Sequence, residues 1–140
     1  MRVEGLLRAG ALALTTLAAG VGFAQPDKDA TAPAQPVMQQ LEAFRRDDYD
    51  SAYTFASDEI KTLFDRQAFE RMVKTGYPEI ARSTYALVTE TRVALDGHVY
   101  LTVKIRGANG NSVEAIYEMV WENSGWRING VVAKPDPGLV

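Results

Sequence analysis

Apolar positions along this chain change their period once: helical spacing runs as far as Pro78, and alternation begins at Thr84. Val37, Leu41 and Phe44 stand at i, i+4 and i+7 with Met38 beside them, which predicts a helix ending near Arg46. A cap at Asp47 or Asp48 predicts a second helix in which Tyr49, Ala52, Tyr53 and Ala56 share a stripe. Ser57 can cap a short third segment holding Ile60, Leu63 and Phe64, and Asp65 a fourth with Phe69, Met72 and Val73 on one face. Lys74 in the last turn, Gly76 as a left-handed residue and Pro78 shortly after mark where that helix is expected to stop.

The alternating part divides into four runs. Tyr85, Leu87, Val93 and Leu95 belong to the first, and Val99, Leu101, Val103 and Ile105 to the second. Val113, Ala115, Tyr117, Met119 and Trp121 make the third, and Trp126, Ile128 and Val132 the fourth. Asp96-Gly97, Asn109-Gly110 and Asn123-Ser124-Gly125 are turn signals between them. The expected fold class is therefore α+β, with N-terminal helices packed on one face of a curved four-stranded antiparallel sheet.

Burial of one face fixes the register, because a slip of one residue inverts a strand. A three-residue loop from Leu95 to Gly97, with Gly97 left-handed, sets Val99 opposite Val93 and Ile105 opposite Leu87. The loop Ala108-Asn109-Gly110 sets Ile105 opposite Val113 and Leu101 opposite Tyr117, and the last turn is expected to set Trp121 opposite Ile128. On the other face Lys104 then meets Glu114 and Arg127 meets Glu122; such exposed pairs contribute only ~0.2–1 kcal/mol each. The inward set runs from Tyr85, Leu87, Thr89, Thr91 and Val93 on the first strand to Trp126, Ile128, Gly130 and Val132 on the last. It holds no Asp, Glu, His, Lys or Arg.

Several stretches carry a family resemblance. They are Gln40-Leu41-Glu42-Ala43-Phe44, Asp48-Tyr49 with Ala52-Tyr53, Ala56-Ser57, Phe69 with Met72-Val73, Gly76-Tyr77-Pro78, Tyr117-Glu118-Met119 and the closing Gly125-Trp126-Arg127-Ile128-Asn129-Gly130-Val131. Together they resemble the bacterial family known as domain of unknown function 4864, from about Val37 to Val132. The layout of helices over one sheet face resembles the cone-shaped fold of nuclear transport factor 2. The resemblance implies that cone and no activity, since the family has none assigned and the cone serves isomerases, dehydratases, epoxide hydrolases and non-enzymes alike. Many cone-fold domains place a strand between the second and third helices, and no such strand is legible here.

The N-terminus has a different composition. Arg2 and Arg8 precede an uncharged run from Ala9 to Phe23, and Gly22-Phe23-Ala24 puts small residues at −3 and −1 of a cleavage after Ala24. Residues 1–24 are expected to be a signal peptide, because the apolar run is shorter than the ~20 residues of a membrane span. Residues 25–36, with three prolines and no periodicity, are expected to be a disordered leader. The domain would then occupy 37–134 and a flexible tail 135–140. The expected location is periplasmic or secreted, with no membrane attachment after cleavage.

Composition narrows the chemistry. The chain has no cysteine, which excludes disulfides, thiolate nucleophiles, thiolate zinc sites and lipoprotein anchoring. A net charge of −3 draws it to neither nucleic acid nor anionic lipid. His98, the only histidine, is read as facing outward beside the first hairpin turn. Asp47, Asp48 and Asp50 lack the glycine and glutamate of a calcium loop and are read as helix caps. No catalytic residue, metal ligand or cofactor is expected.

What remains is aromatic and apolar surface. Tyr53, Tyr77, Tyr85, Tyr117, Trp121 and Trp126 are the candidate lining of a cavity for a small apolar ligand, with plain core filling as the simpler role. Tyr100, Ile116, Val120 and Val131 form the apolar centre of the outer sheet face, ringed by charge, and are the candidate interface of a two-fold homodimer. The sequence thus points to a non-catalytic exported domain that binds a small apolar ligand or a protein partner. One alternative is a cone-fold lyase, isomerase or hydrolase with a helix-borne acid or base; another is a structural accessory module.

Overall fold

A computed structural model describes residues 33–136. The expected signal peptide, most of the expected leader and the end of the expected tail lie outside the described residues. Helix α1 (Ala34–Arg45) begins inside the stretch read as leader, and Pro36 is buried in its first turn, where an absent N–H costs no helical bond. The helix stops in a Schellman arrangement at Asp47, which has φ 56°. Asp47 N–H donates to Phe44 O and Asp48 N–H to Ala43 O, both at 2.9 Å. That leaves Asp48 to cap α2 (Tyr49–Thr54), accepting the Ser51 N–H at 3.0 Å.

Ser57 caps α3 (Asp58–Leu63) through the Ile60 N–H, and Asp65 caps α4 (Arg66–Gly76) through the Ala68 N–H, as their spacing predicts. Gly76 departs from expectation. It is the last residue of α4 and is not left-handed; the chain turns instead at Tyr77, with φ −138° and ψ 59°. Pro78 then opens a further one-turn helix, α5 (Pro78–Ala81). Proline at a first helical position has its φ already set and no N–H to lose, so it restarts a helix as readily as it follows one.

Strands β1 (Ser83–Val93), β2 (Val99–Gly107), β3 (Ser112–Glu122) and β4 (Gly125–Pro135) form an antiparallel meander in that order. The first two loops are as expected, with Gly97 at φ 90° and Gly110 at φ 84°. Val93 faces Val99, Ile105 faces Val113, Leu101 faces Tyr117 and Lys104 faces Glu114. The ordered chain also runs past position 134: Pro135 pairs with Val113, and Asp136 donates its N–H to Ser112 O and meets Lys104 at 3.2 Å.

The outer strands carry three register shifts, one at Thr84 at the start of β1 and two further in that correct the expected faces. In β1, Val88 pairs with Val103 and Glu90 with Thr102, so Thr89 is the extra residue and Ile105 meets Ala86, not Leu87. N-terminal to the bulge the faces are exchanged. Ala86 and Val88 pack on the core, while Tyr85 and Leu87 are about half exposed on the outer face. In the last hairpin only Asn123 and Ser124 form the turn, both left-handed, at φ 53° and 63°. Trp121 therefore pairs with Trp126, Met119 with Ile128, and Arg127 with Val120 rather than Glu122. Glu118 then pairs with Gly130, leaving Asn129 as the bulge. Beyond it Val131 turns to the core and Val132 turns out. One inserted residue reverses the pleat for everything past it.

Between α2 and α3, where a cone-fold strand was not legible, Ala56 makes a single parallel bridge to Ile128. Ser57 N–H donates to Ile128 O and Ile128 N–H to Phe55 O, each at 2.9 Å, which covers the outer edge of β4 at that residue. The core lies between layers, where Val37, Leu41 and Phe44 of α1 and the inward residues of β2 and β3 are buried.

Candidate functional site

The concave side of the sheet, under the helices, is the first place to look for a site. Its centre is Tyr117 on β3, 1% exposed. The Tyr117 hydroxyl is buried and has no hydrogen-bond partner among the described residues. Burial, and secondarily the neighbouring Tyr77, push this phenol well above the ordinary tyrosine range, so it stays protonated and neutral. Tyr77 leans in from the α4–α5 junction, and its hydroxyl donates to Val131 O at 3.3 Å. Val131 is also the strand partner of Tyr117, so these two tyrosines share one neighbourhood.

The other candidate lining residues are dispersed. Tyr53 donates to Phe64 O at 2.6 Å and stacks edge-on against Phe69 at 5.3 Å, tying α2 to the α3–α4 junction. Trp121 and Trp126 form their own edge-to-face pair at 5.4 Å beside the last hairpin. Tyr85 does not belong to this side at all, since the Thr89 bulge turns it outward. The buried polar residues Gln40, Ser57, Ser83 and Ser112 are all uncharged. Gln40 donates to Ala52 O at 3.1 Å, and Ser57 donates to Asn129 Oδ1 at 2.7 Å. Among the described residues the concave side thus presents hydroxyls and apolar surface, and no carboxylate, imidazole or amine for proton transfer. Among them, too, no group of three or more His, Cys, Asp or Glu is placed to hold a metal ion.

The outer face of the sheet is built differently. The bulges bring Tyr85, Leu87 and Val132 to it, and remove Val131, which was expected there. Tyr85 is 49% exposed, Leu87 48%, Ile116 38% and Val132 70%. Ile116 stands directly opposite Val132. Tyr100 lies under Arg92, whose guanidinium carbon is 4.8 Å from the ring centre, and Val120 stands opposite Arg127. His98 faces this side, as its place in the hairpin predicts, with Nδ1 2.7 Å from Glu118 Oε2. Lys134 and Glu114 meet at 3.5 Å. Tyr85, Leu87 and Val132 are the residues that sequence reasoning missed. The adjacent pairs Leu87-Val88 and Val131-Val132 were the available signal, since either member could face the core.

Two solved structures are similar to the chain, each at 15% identity and a TM-score of 0.49. One is an NTF-2 like protein of unknown function from Silicibacter pomeroyi, with 75% of this chain and 94% of that one covered. The other is Aln2 from a Streptomyces species, with 76% and 89% covered. No curated protein matches the sequence. The family described as Domain of unknown function (DUF4864) matches residues 26–139, and the chain, an α+β domain of helices over a four-stranded antiparallel sheet, belongs to it.

Proposed function

We propose that this protein is a non-catalytic binding domain of an exported compartment, and that it works through the outer face of its sheet, against a second copy of the chain. The observation that carries the reading is two apolar pairs open to water on that face, Tyr85 and Leu87 on β1 and Ile116 opposite Val132 on β3 and β4, with Thr102, Lys104 and Arg106 of β2 between them. A solvated face of an antiparallel sheet ordinarily alternates to polar residues, and exposed apolar side chains set among charged ones are how an interface is composed. The surrounding charges are mixed in sign. Arg92, Lys104, Arg106, Arg127 and Lys134 intersperse with Glu90, Glu114, Glu118 and Glu122. A two-fold contact lets such a surface meet its own complement, whereas a surface of one sign calls for a different partner.

The uncharged concave side supports the non-catalytic part of the reading, and the layout of residues 1–24 supports export. The unpartnered Tyr117 hydroxyl favours a second reading, a small ligand that reaches the cone. Sedimentation velocity of the purified protein and its Val132→Lys variant tests the outer face. The wild type is expected to associate as concentration rises and the variant to lose that step. Superimposable profiles overturn the proposal.

A further inference from the structure

We propose that the open edge of β1 pairs antiparallel with the same edge of a second copy, about a two-fold axis at Thr91. The two edges of the sheet are treated differently. The β4 edge is covered midway, where Phe55 and Ser57 bond to Ile128. β1 has no such backbone bridge among the described residues, only Arg45 Nε donating to Ser83 O at 2.9 Å at its start, although it is 11 residues long and contains no proline. An edge of that length is a template for another strand unless something blocks it. The bulge at Thr89 bends its first half away and leaves Glu90 to Val93 as the segment able to pair.

Backbone direction selects the register. Ala94 N–H donates to His98 O at 2.8 Å, so Ala94 and Arg92 turn their N–H and C=O groups towards β2. Thr91 and Val93 consequently turn theirs to the open edge. An axis at Thr91 makes the two copies of that residue a hydrogen-bonded pair. Glu90 and Arg92 then occupy the flanking non-hydrogen-bonded positions, where opposed side chains come closest, and each Glu90 lies across from an Arg92 of the other copy. Both project from the outer face, and Glu90 is exposed with no ion-pair partner among the described residues. Moving the axis to Glu90 or to Arg92 sets like charges against each other. A two-fold contact uses the β1 edge of both copies and so ends at two. It uses strand backbone at one border of the sheet, so it does not rest on the outer-face contact.

The test is sedimentation equilibrium of the purified Val132→Lys protein, in which the outer face is disabled, alone and with Arg92→Glu, Glu90→Arg or both. The parent is expected to remain in a concentration-dependent monomer–dimer equilibrium. Each single reversal sets two like-charge pairs in register and is expected to weaken association roughly tenfold. The double exchange restores opposite pairs and is expected to recover the parent's affinity, an outcome that a folding defect does not produce. A parent that is monomeric at every concentration, or four proteins that associate equally, overturns the proposal. Failure of the outer-face reading shows instead as a Val132→Lys protein identical to wild type, and leaves the charge exchange readable.

Discussion

The Tyr117 hydroxyl offers a one-atom perturbation of the centre of the core. It is buried, unpartnered and held on β3 between Leu101 and Val131. Leaving such a group without a hydrogen bond costs ~1–3 kcal/mol relative to water. Tyr117→Phe removes that cost, and loses only the dispersion contacts of one oxygen, of order 0.1–0.2 kcal/mol per atom pair. The net expectation is a gain of about 1 kcal/mol, or a rise of ~4–8 °C in Tm for a domain of this size. The gain should also depend on pH. An unfolded tyrosine titrates near ~10, whereas the folded phenol is pushed higher, first by burial and then by Tyr77. Above about pH 10 the native state therefore holds a proton that the unfolded chain has released, and wild-type stability falls as pH rises. Well below that pH neither state titrates and this contribution to stability is fully present. The phenylalanine variant has no phenol to ionise on unfolding, so its advantage over wild type should widen between about pH 8 and about pH 11. Differential scanning calorimetry of both proteins at the two pH values reads the effect. A variant about 1 kcal/mol less stable than wild type would refute the reasoning, because the hydroxyl would then be bonded to a water or ligand inside the cone.

Two further expectations follow. Ser57→Ala leaves both the Ile60 N–H and Asn129 Oδ1 without their buried partner and should cost about 2 kcal/mol, read as a lower urea midpoint at unchanged slope; a loss under ~0.5 kcal/mol would mean that water replaces both bonds. Protein recovered from the exported fraction of its own host should begin at Gln25 by N-terminal sequencing, and recovery of the intact Met1 form from the cytoplasm alone would refute export.

The parts of the fold legible in sequence were those governed by contacts between near neighbours. The caps at Asp48, Ser57 and Asp65 each bond an N–H three residues on, so their spacing reveals them. The loops at Gly97 and Gly110 require left-handed backbone, which glycine supplies, and they set the register of β2 against both neighbours where those strands begin. Gly76 was misread for a reason of the same kind. The left-handed stop it suggested belongs to Asp47, at the end of α1, and the Tyr77-Pro78 step turns the chain into α5 instead.

The outer face could not be read in this way. Alternation says that successive residues point to opposite sides, but it does not say where one residue is skipped. Ala86-Leu87-Val88 and Val131-Val132 are apolar at both parities, so a bulge before or after them leaves the local pattern equally satisfied. Which parity prevails depends on partners far along the chain: Val103 for Val88, Tyr117 for Val131, and the bond between Ser57 and Asn129 at the β4 bulge. Sequence alone therefore determined the first four helices and the four strands in order, the caps at Asp48, Ser57 and Asp65, the first two turns and the uncharged lining of β2 and β3. Only the tertiary structure decided which apolar residues of β1 and β4 face water, because a bulge is chosen by packing across the sheet and not by any residue's immediate neighbours.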